Sequence, residues 1–333
     1  MIYLESLNSS LHNILEKNKD VILIGEDLLD PYGGAFKVSK GLSTAFPGQV
    51  ISTPISEAGI VGAATGMAMR GLKPIVEIMF GDFITLAADQ IINHATKFNW
   101  MYNNKVTVPM IIRTPVGGRR GYGPTHSQSL ESIFMSVPGI EIVAPSICHN
   151  PGEMMGKLIQ YVDKPTIFIE NKIDYSKQLY NDTFGNFSII REDAGHYNQN
   201  ITLSLYPDEK PDIIIITYGG NVSIAGEAAE KFFLDEEILV NIGVLSSVRP
   251  IDIEFVINLV NTCGKVIILE EGNRIGGWGA ELSSIIHEKA FNYLNYPVQR
   301  LGSMDIPIPS SGPMELEMLP SPSDLYLMFN KML

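Results

Sequence analysis

The sequence predicts an α/β protein made of two doubly wound units, each a parallel sheet covered by helices on both faces. Three observations predict it. Short apolar runs such as Val21-Ile22-Leu23-Ile24 and Ile213-Ile214-Ile215-Ile216 lack polar alternation, the mark of strands buried on both sides. Helical patterns, not tight turns, lie between these runs, as crossover connections require. One polar stretch, from about Asn171 to Pro211, interrupts the alternation and divides the chain.

The elements follow in order. An amphipathic helix opens the chain with Leu4, Leu7, Leu11, Ile14 and Leu15 on one face. Val21–Ile24 is a strand ending at Gly25-Glu26-Asp27. A small-residue helix from Ala58 to Arg70 precedes the strand Pro74–Met79, and Ala87–Trp100 reads as a helix. Val108–Arg113, Ile140–Pro145 and Pro165–Glu170 complete the first unit. The Tyr-, Asn- and Gly-rich stretch is read as a connection that can hold a hairpin. Asp212–Thr217, a helix over Ser223–Phe233, Ile238–Ile242 and Lys265–Glu270 form the second unit. The Pro-, Ser- and Met-rich tail from Pro307 to Pro322 is expected to wrap a surface. The predicted boundaries are 1–185, a linker over 186–210, and 211–333.

Composition excludes several classes of function. Of 333 residues, 24 are Lys or Arg and 37 are Asp or Glu, for a net charge of −13. A nucleic-acid binder needs a basic face, so that class is set aside. Two cysteines, Cys148 and Cys263, cannot build a disulfide framework and suit a reducing compartment. No apolar run reaches the roughly 20 residues of a spanning helix, and the N-terminal helix is no signal core. A cytoplasmic protein is expected, without membrane or nucleic-acid partners.

Two segments carry chemistry. Thr53-Pro54-Ile55-Ser56-Glu57-Ala58-Gly59 sets one carboxylate between a proline turn and a helix start. Gly123-Pro124-Thr125-His126-Ser127-Gln128 places a histidine at the end of a glycine-rich loop. An acid and a histidine on strand-following loops are, in outline, a general acid–base pair. The plain alternative makes Glu57 a helix N-terminal carboxylate bonded to free amides, and His126 a loop residue capping backbone groups.

Together the segments resemble the beta subunit of the thiamine-diphosphate-dependent 2-oxoacid dehydrogenases and, more widely, the transketolase superfamily. That resemblance implies a pyrimidine-binding domain followed by a transketolase C-terminal domain. It assigns Glu57 to the cofactor's pyrimidine ring nitrogen, Phe83 and Met79 to the walls of that ring, and His126 to substrate-derived groups. Phe and Met are otherwise ordinary core residues. Leu86 stands near a place where pyruvate-specific members carry a polar Gln, and Pro124-Thr125 resembles transketolase-like enzymes instead. Leu269-Glu270-Glu271-Gly272 and Gly276-Gly277-Trp278-Gly279-Ala280-Glu281 match the C-terminal domain. Arg119 and Arg120 are candidates for holding an acidic substrate, because guanidinium forks suit carboxylates; a surface ion pair or a subunit contact is the equal alternative. In some relatives backbone carbonyls bind potassium, which would fall near Met110 and Asn171.

The superfamily's Gly-Asp-Gly magnesium motif is missing. Gly81-Asp82-Phe83 lacks the second glycine and lies on the pyrimidine side. The resemblance therefore implies half an active site. An alpha subunit would supply magnesium and the diphosphate site, in an alpha-two beta-two assembly with a beta–beta contact. The implied reaction is oxidative decarboxylation of a 2-oxo acid with acyl transfer to the lipoyl carrier of an acyltransferase. A split transketolase-like or carboligating enzyme that never meets lipoate, or a non-catalytic scaffold for an alpha partner, are the alternatives.

Overall fold

The structure, a computed structural model, describes residues 1–332. Two seven-stranded sheets carry the fold. The first uses β1 (Val21–Glu26), β2 (Val50–Thr53), β3 (Lys73–Glu77), β4 (Ile111–Val116), β5 (Glu141–Val143) and β6 (Thr166–Asn171). Their spatial order is β5-β6-β4-β3-β1-β2, with every neighbouring pair parallel. The central β4 is buried along its whole length, which is why its sequence shows no polar alternation. The opening helix, Tyr3–Lys17, seats Leu7, Leu11, Ile14 and Leu15 in the core and packs on the Pro151–Tyr161 helix. Gly152 allows that approach: a Cβ there would lie 2.2 Å from the Ser6 carbonyl oxygen.

The second sheet begins earlier than the sequence suggests. The expected linker, 186–210, is largely strand: β7 (Thr183–Phe184), β8 (Phe187–Asp193) and β9 (Gln199–Ser204) are antiparallel and form one side of the sheet. Asn200, Thr202 and Ser204 are buried there against β11, so polar composition disguised an interior strand. Then follow β10 (Ile213–Tyr218), β11 (Val240–Leu245), β12 (Ser247–Arg249), β13 (Val266–Asn273) and β14 (Gln299–Ser303). Strands β14-β13-β10-β11 are parallel. β12 leaves its own unit and pairs antiparallel with β5, adding the seventh strand to the first sheet.

The stretch expected as one helix, Ala87–Trp100, instead starts where a 3₁₀ segment (Gly81–Ala87) ends and breaks into a π-helical turn (Gln90–Ala95) and a short helix (Phe98–Met101). Both turns pack on the Glu57–Met69 helix. The tail contains a helix, Gly312–Met318, whose Met318 and Leu319 bury with Ile308. Among the described residues, no helix is long and apolar enough to cross a membrane.

Candidate active site

Strand β2 is a sheet edge, and its exit positions Glu57. Thr53-Pro54-Ile55-Ser56 turns the chain outward, and Glu57 becomes the first residue of the Glu57–Met69 helix. Glu57 is 5% exposed, yet its carboxylate accepts no hydrogen bond among the described residues. The capping alternative therefore fails: the first-turn amides are not its partners. What it faces is a second carboxyl. Glu26, at the end of β1, accepts a hydrogen bond from the Ser56 amide at 3.3 Å. Burial first, and then the charge of Glu57, raise the Glu26 carboxyl above the usual carboxylate range. Buried polar groups are nearly always hydrogen-bonded, so a buried acid without a partner among the described residues stands out.

Beside it the sheet edge is apolar: Ile51 in β2 is exposed, and Ile55 in its exit turn is 81% exposed. An open sheet edge carrying such residues is a surface for another molecule.

The Gly81–Ala87 segment carries Phe83 from the Glu57 helix toward His126. The Phe83 ring lies 5.1 Å from the His126 ring, edge to face. Phe80 packs on the same imidazole at 4.8 Å and on Phe83 at 5.7 Å. Phe36 and Tyr122 extend this aromatic cup. The half-buried His126 has Nδ1 3.0 Å from the Thr125 hydroxyl oxygen, and its Nε2 has no partner among the described residues. Met79 is half-buried at the entrance to the segment. Phe83 and His126 thus share one aromatic cluster, and the segment that carries Phe83 packs on the helix that Glu57 opens.

Asp82, whose Gly-Asp setting drew notice, is committed to the fold. Its Oδ1 accepts from the Gln128 amide and side chain at 3.3 and 2.7 Å. The arginines are likewise occupied. Arg119 adopts φ +68° and donates to the Pro320 carbonyl at 2.8 Å. Arg120 donates to the Lys172 carbonyl at 2.9 Å and lies 5.8 Å over the Phe36 ring. Neither makes an ion pair among the described residues; only Arg120 is exposed enough to meet a substrate. Met110 and Asn171 do not meet. Ile111 pairs with Thr166 and Val116 with Asn171, so Met110, one residue before Ile111, lies six residues along the ladder from Asn171, about 20 Å at the usual strand rise. Their carbonyls already accept the Thr166 and Asp174 amides. One potassium ion cannot be shared by both.

Sequence reading missed Phe80, Lys172 and Glu26 as site residues. Glu26 was legible as the acid ending a strand. Phe80 and Lys172 owe their positions to long-range packing.

Comparison with known families defines the class. The profile described as "Transketolase, pyrimidine binding domain" matches residues 2–178, and "Transketolase, C-terminal domain" matches 205–325. Among related proteins, the 2-oxoisovalerate dehydrogenase subunit beta of Pseudomonas aeruginosa is 34% identical over 100% of this chain and 95% of its own. The pyruvate dehydrogenase E1 component subunit beta of Rickettsia conorii is 32% identical over 96% and 94%. Its mitochondrial counterpart from Saccharomyces cerevisiae is 35% identical over 93% and 83%. The chain belongs to the family of beta subunits of the thiamine-diphosphate-dependent 2-oxoacid dehydrogenases. In fold it also resembles a split-gene transketolase solved as an inactive beta4 tetramer, with TM-score 0.74 and 19% identity over 98% of this chain and 96% of that one. A Pichia stipitis transketolase gives TM-score 0.68 and 16% identity over all of this chain but 46% of that one.

Proposed function

We propose that this chain supplies the pyrimidine-side half of an active site that converts a 2-oxo acid to an acyl group on a lipoyl carrier. An alpha subunit bearing the Gly-Asp-Gly motif supplies the other half, with magnesium and the diphosphate end. The observation that carries the reading is Glu57: a buried carboxylate with no hydrogen-bond partner among the described residues, beside a second acid and an exposed apolar edge.

The residues fit thiamine diphosphate. The orphaned Glu57 carboxyl suits a ring nitrogen, and the half-buried Phe83 and Met79 offer a flat apolar wall. When bound, the cofactor supplies a carbanion-forming carbon and an electron sink for decarboxylation. Glu57 would hydrogen-bond to the pyrimidine ring and orient it. Glu26 retains its own proton more firmly than an ordinary carboxylic acid, because burial and Glu57 both disfavour its charge. Phe80 and Phe83 keep the His126 imidazole in an apolar setting, where its free Nε2 can exchange a proton with substrate-derived oxygen.

The exposed residues Ile51, Ile55 and Leu86 form the proposed alpha-facing surface. The assembly is an alpha-two beta-two tetramer with a beta–beta contact through the C-terminal domain, in the cytoplasm. Gly123-Pro124-Thr125 before His126 supports a second reading, in which the acyl acceptor is an aldehyde.

The test is co-purification with the alpha chain, thiamine diphosphate titration, and 2-oxo acid turnover with a lipoyl domain or an aldehyde. Glu57→Gln should leave assembly intact and abolish turnover. Full turnover by that variant sinks the mechanism; transfer to aldehyde alone selects the second reading.

A further inference from the structure

Lys172 has no exposed surface. A buried ammonium is costly and is retained where it does something. This one touches the glycine-rich loop at three points. Its amide donates to the Val116 carbonyl at 3.0 Å, where the loop begins. Its carbonyl accepts from Arg120 Nη2 at 2.9 Å, mid-loop. Its Nζ donates to the His126 carbonyl at 2.8 Å, where the loop ends, and lies 5.5 Å from the Phe80 ring centre. The loop between these points includes Gly117, Arg119, Gly121 and Gly123, all with positive φ, so little in its own backbone chemistry fixes one conformation. Two further contacts come from the tail and second sheet: Glu315 accepts from the Gly121 amide and Glu271 from the Gly118 amide.

We propose that Lys172 is a positioning residue for His126, its ammonium holding the end of the loop so that the imidazole stands between Phe80 and Phe83 with Nε2 free. The inference rests on the reading of His126 as a substrate-side group. Removing the ammonium leaves the His126 carbonyl without its donor and three nearby acids less compensated, so some loss of stability accompanies the substitution, and the loop readouts separate positioning from stability.

The charged groups facing Nζ are Asp82 from the 81–87 segment, Glu271 from β13, Glu315 from the tail helix and Arg120 from the loop. Burial outweighs the three acids and brings the Lys172 ammonium down to about 8. The charged form therefore persists below that pH, and the clamp weakens as pH rises through it.

The experiment compares wild type with Lys172→Met, each assembled with the alpha chain. Expected for the variant are a fall in kcat of up to roughly 100-fold, as for a misplaced group, unchanged thiamine diphosphate affinity, and a lower melting temperature. Amide hydrogen exchange across 117–128 should be faster. Wild-type kcat should fall above about pH 8, and that limb should vanish in the variant. Wild-type kcat together with unchanged loop exchange in the variant overturns the proposal. Should the variant fail to fold, Lys172→Gln serves in its place, and wild-type kcat with unchanged loop exchange there overturns the proposal. His126→Ala separates the two readings. Full activity there removes the role of His126, while an inactive His126→Ala beside a fully active Lys172→Met removes only the role of Lys172.

Discussion

Removing the Arg113 guanidinium should destabilise the first sheet by an amount its surroundings set. Arg113 is 1% exposed and bridges two buried acids. Its Nε and Nη2 donate to Glu170 at 2.8 and 2.5 Å, and its Nη1 donates to Glu77 at 2.5 Å. Breaking a buried pair costs about 3–5 kcal/mol, because a charge is left without compensation. Here each acid keeps one other donor: Ser39 on Glu77 at 2.5 Å and Tyr175 on Glu170 at 2.7 Å. The lower end, about 3 kcal/mol, is therefore expected for Arg113→Met, or about 6–12 °C in melting temperature for a unit of this size. Burial already raises the Glu77 carboxyl, with Arg113 as the strongest opposing pull. Without Arg113 it rises further. A raised folded-state acid contributes stability at low pH that is lost as pH climbs through its folded value. The deficit of Arg113→Met should therefore be larger at pH 8 than at pH 5, and Glu77→Gln with Glu170→Gln should recover much of it. Circular-dichroism melts at both pH values test this. A shift below about 2 °C at pH 8, or a deficit independent of pH, refutes the reasoning.

Three more outcomes are expected. Burial pushes Glu270 up to about 7 against the pull of Arg300 and the helix-start amides, so its ionisation opposes folding and the stability it lends at low pH is lost as pH rises through 7. Glu270→Gln should raise the melting temperature at pH 8 by the equivalent of at most about 3 kcal/mol and change little at pH 5. Gly34 has φ +80°, and a Cβ would lie 2.3 Å from Glu77 Oε1; Gly34→Ala should cost about 1–3 kcal/mol, read as a lower melting temperature. Ile55→Asp should leave the isolated chain's melting temperature nearly unchanged, as surface changes do, while blocking co-purification with the alpha chain.

The parallel strands were legible because burial on both faces writes itself as an uninterrupted apolar run, as in Ile213–Ile216. Glu57 was legible for a local reason, the proline turn before a small-residue helix. β8 and β9 were not, since their Asn, Thr and Ser residues read as loop while the backbone carrying them pairs in a sheet formed with distant strands. The turns after Phe80 escaped for a similar reason: helical composition gave way to packing against the Glu57 helix, which favoured tighter and wider turns. Lys172 reads as a surface lysine until β6 delivers it beneath a loop some fifty residues earlier in the chain. Met110 and Asn171 show the converse, where strand register separates what sequence proximity to strands had grouped.

The pairing of β12 with β5 has a consequence for how the chain is made. During synthesis the first six strands emerge well before residues 247–249, so β5 waits on the ribosome with an unpaired edge. Such an edge can recruit a neighbouring nascent chain instead of its own late strand. A gene truncated between the units would make that exposure permanent. The first unit expressed alone should therefore accumulate as insoluble material, and the whole chain should be most vulnerable to aggregation in the interval before its second unit is finished.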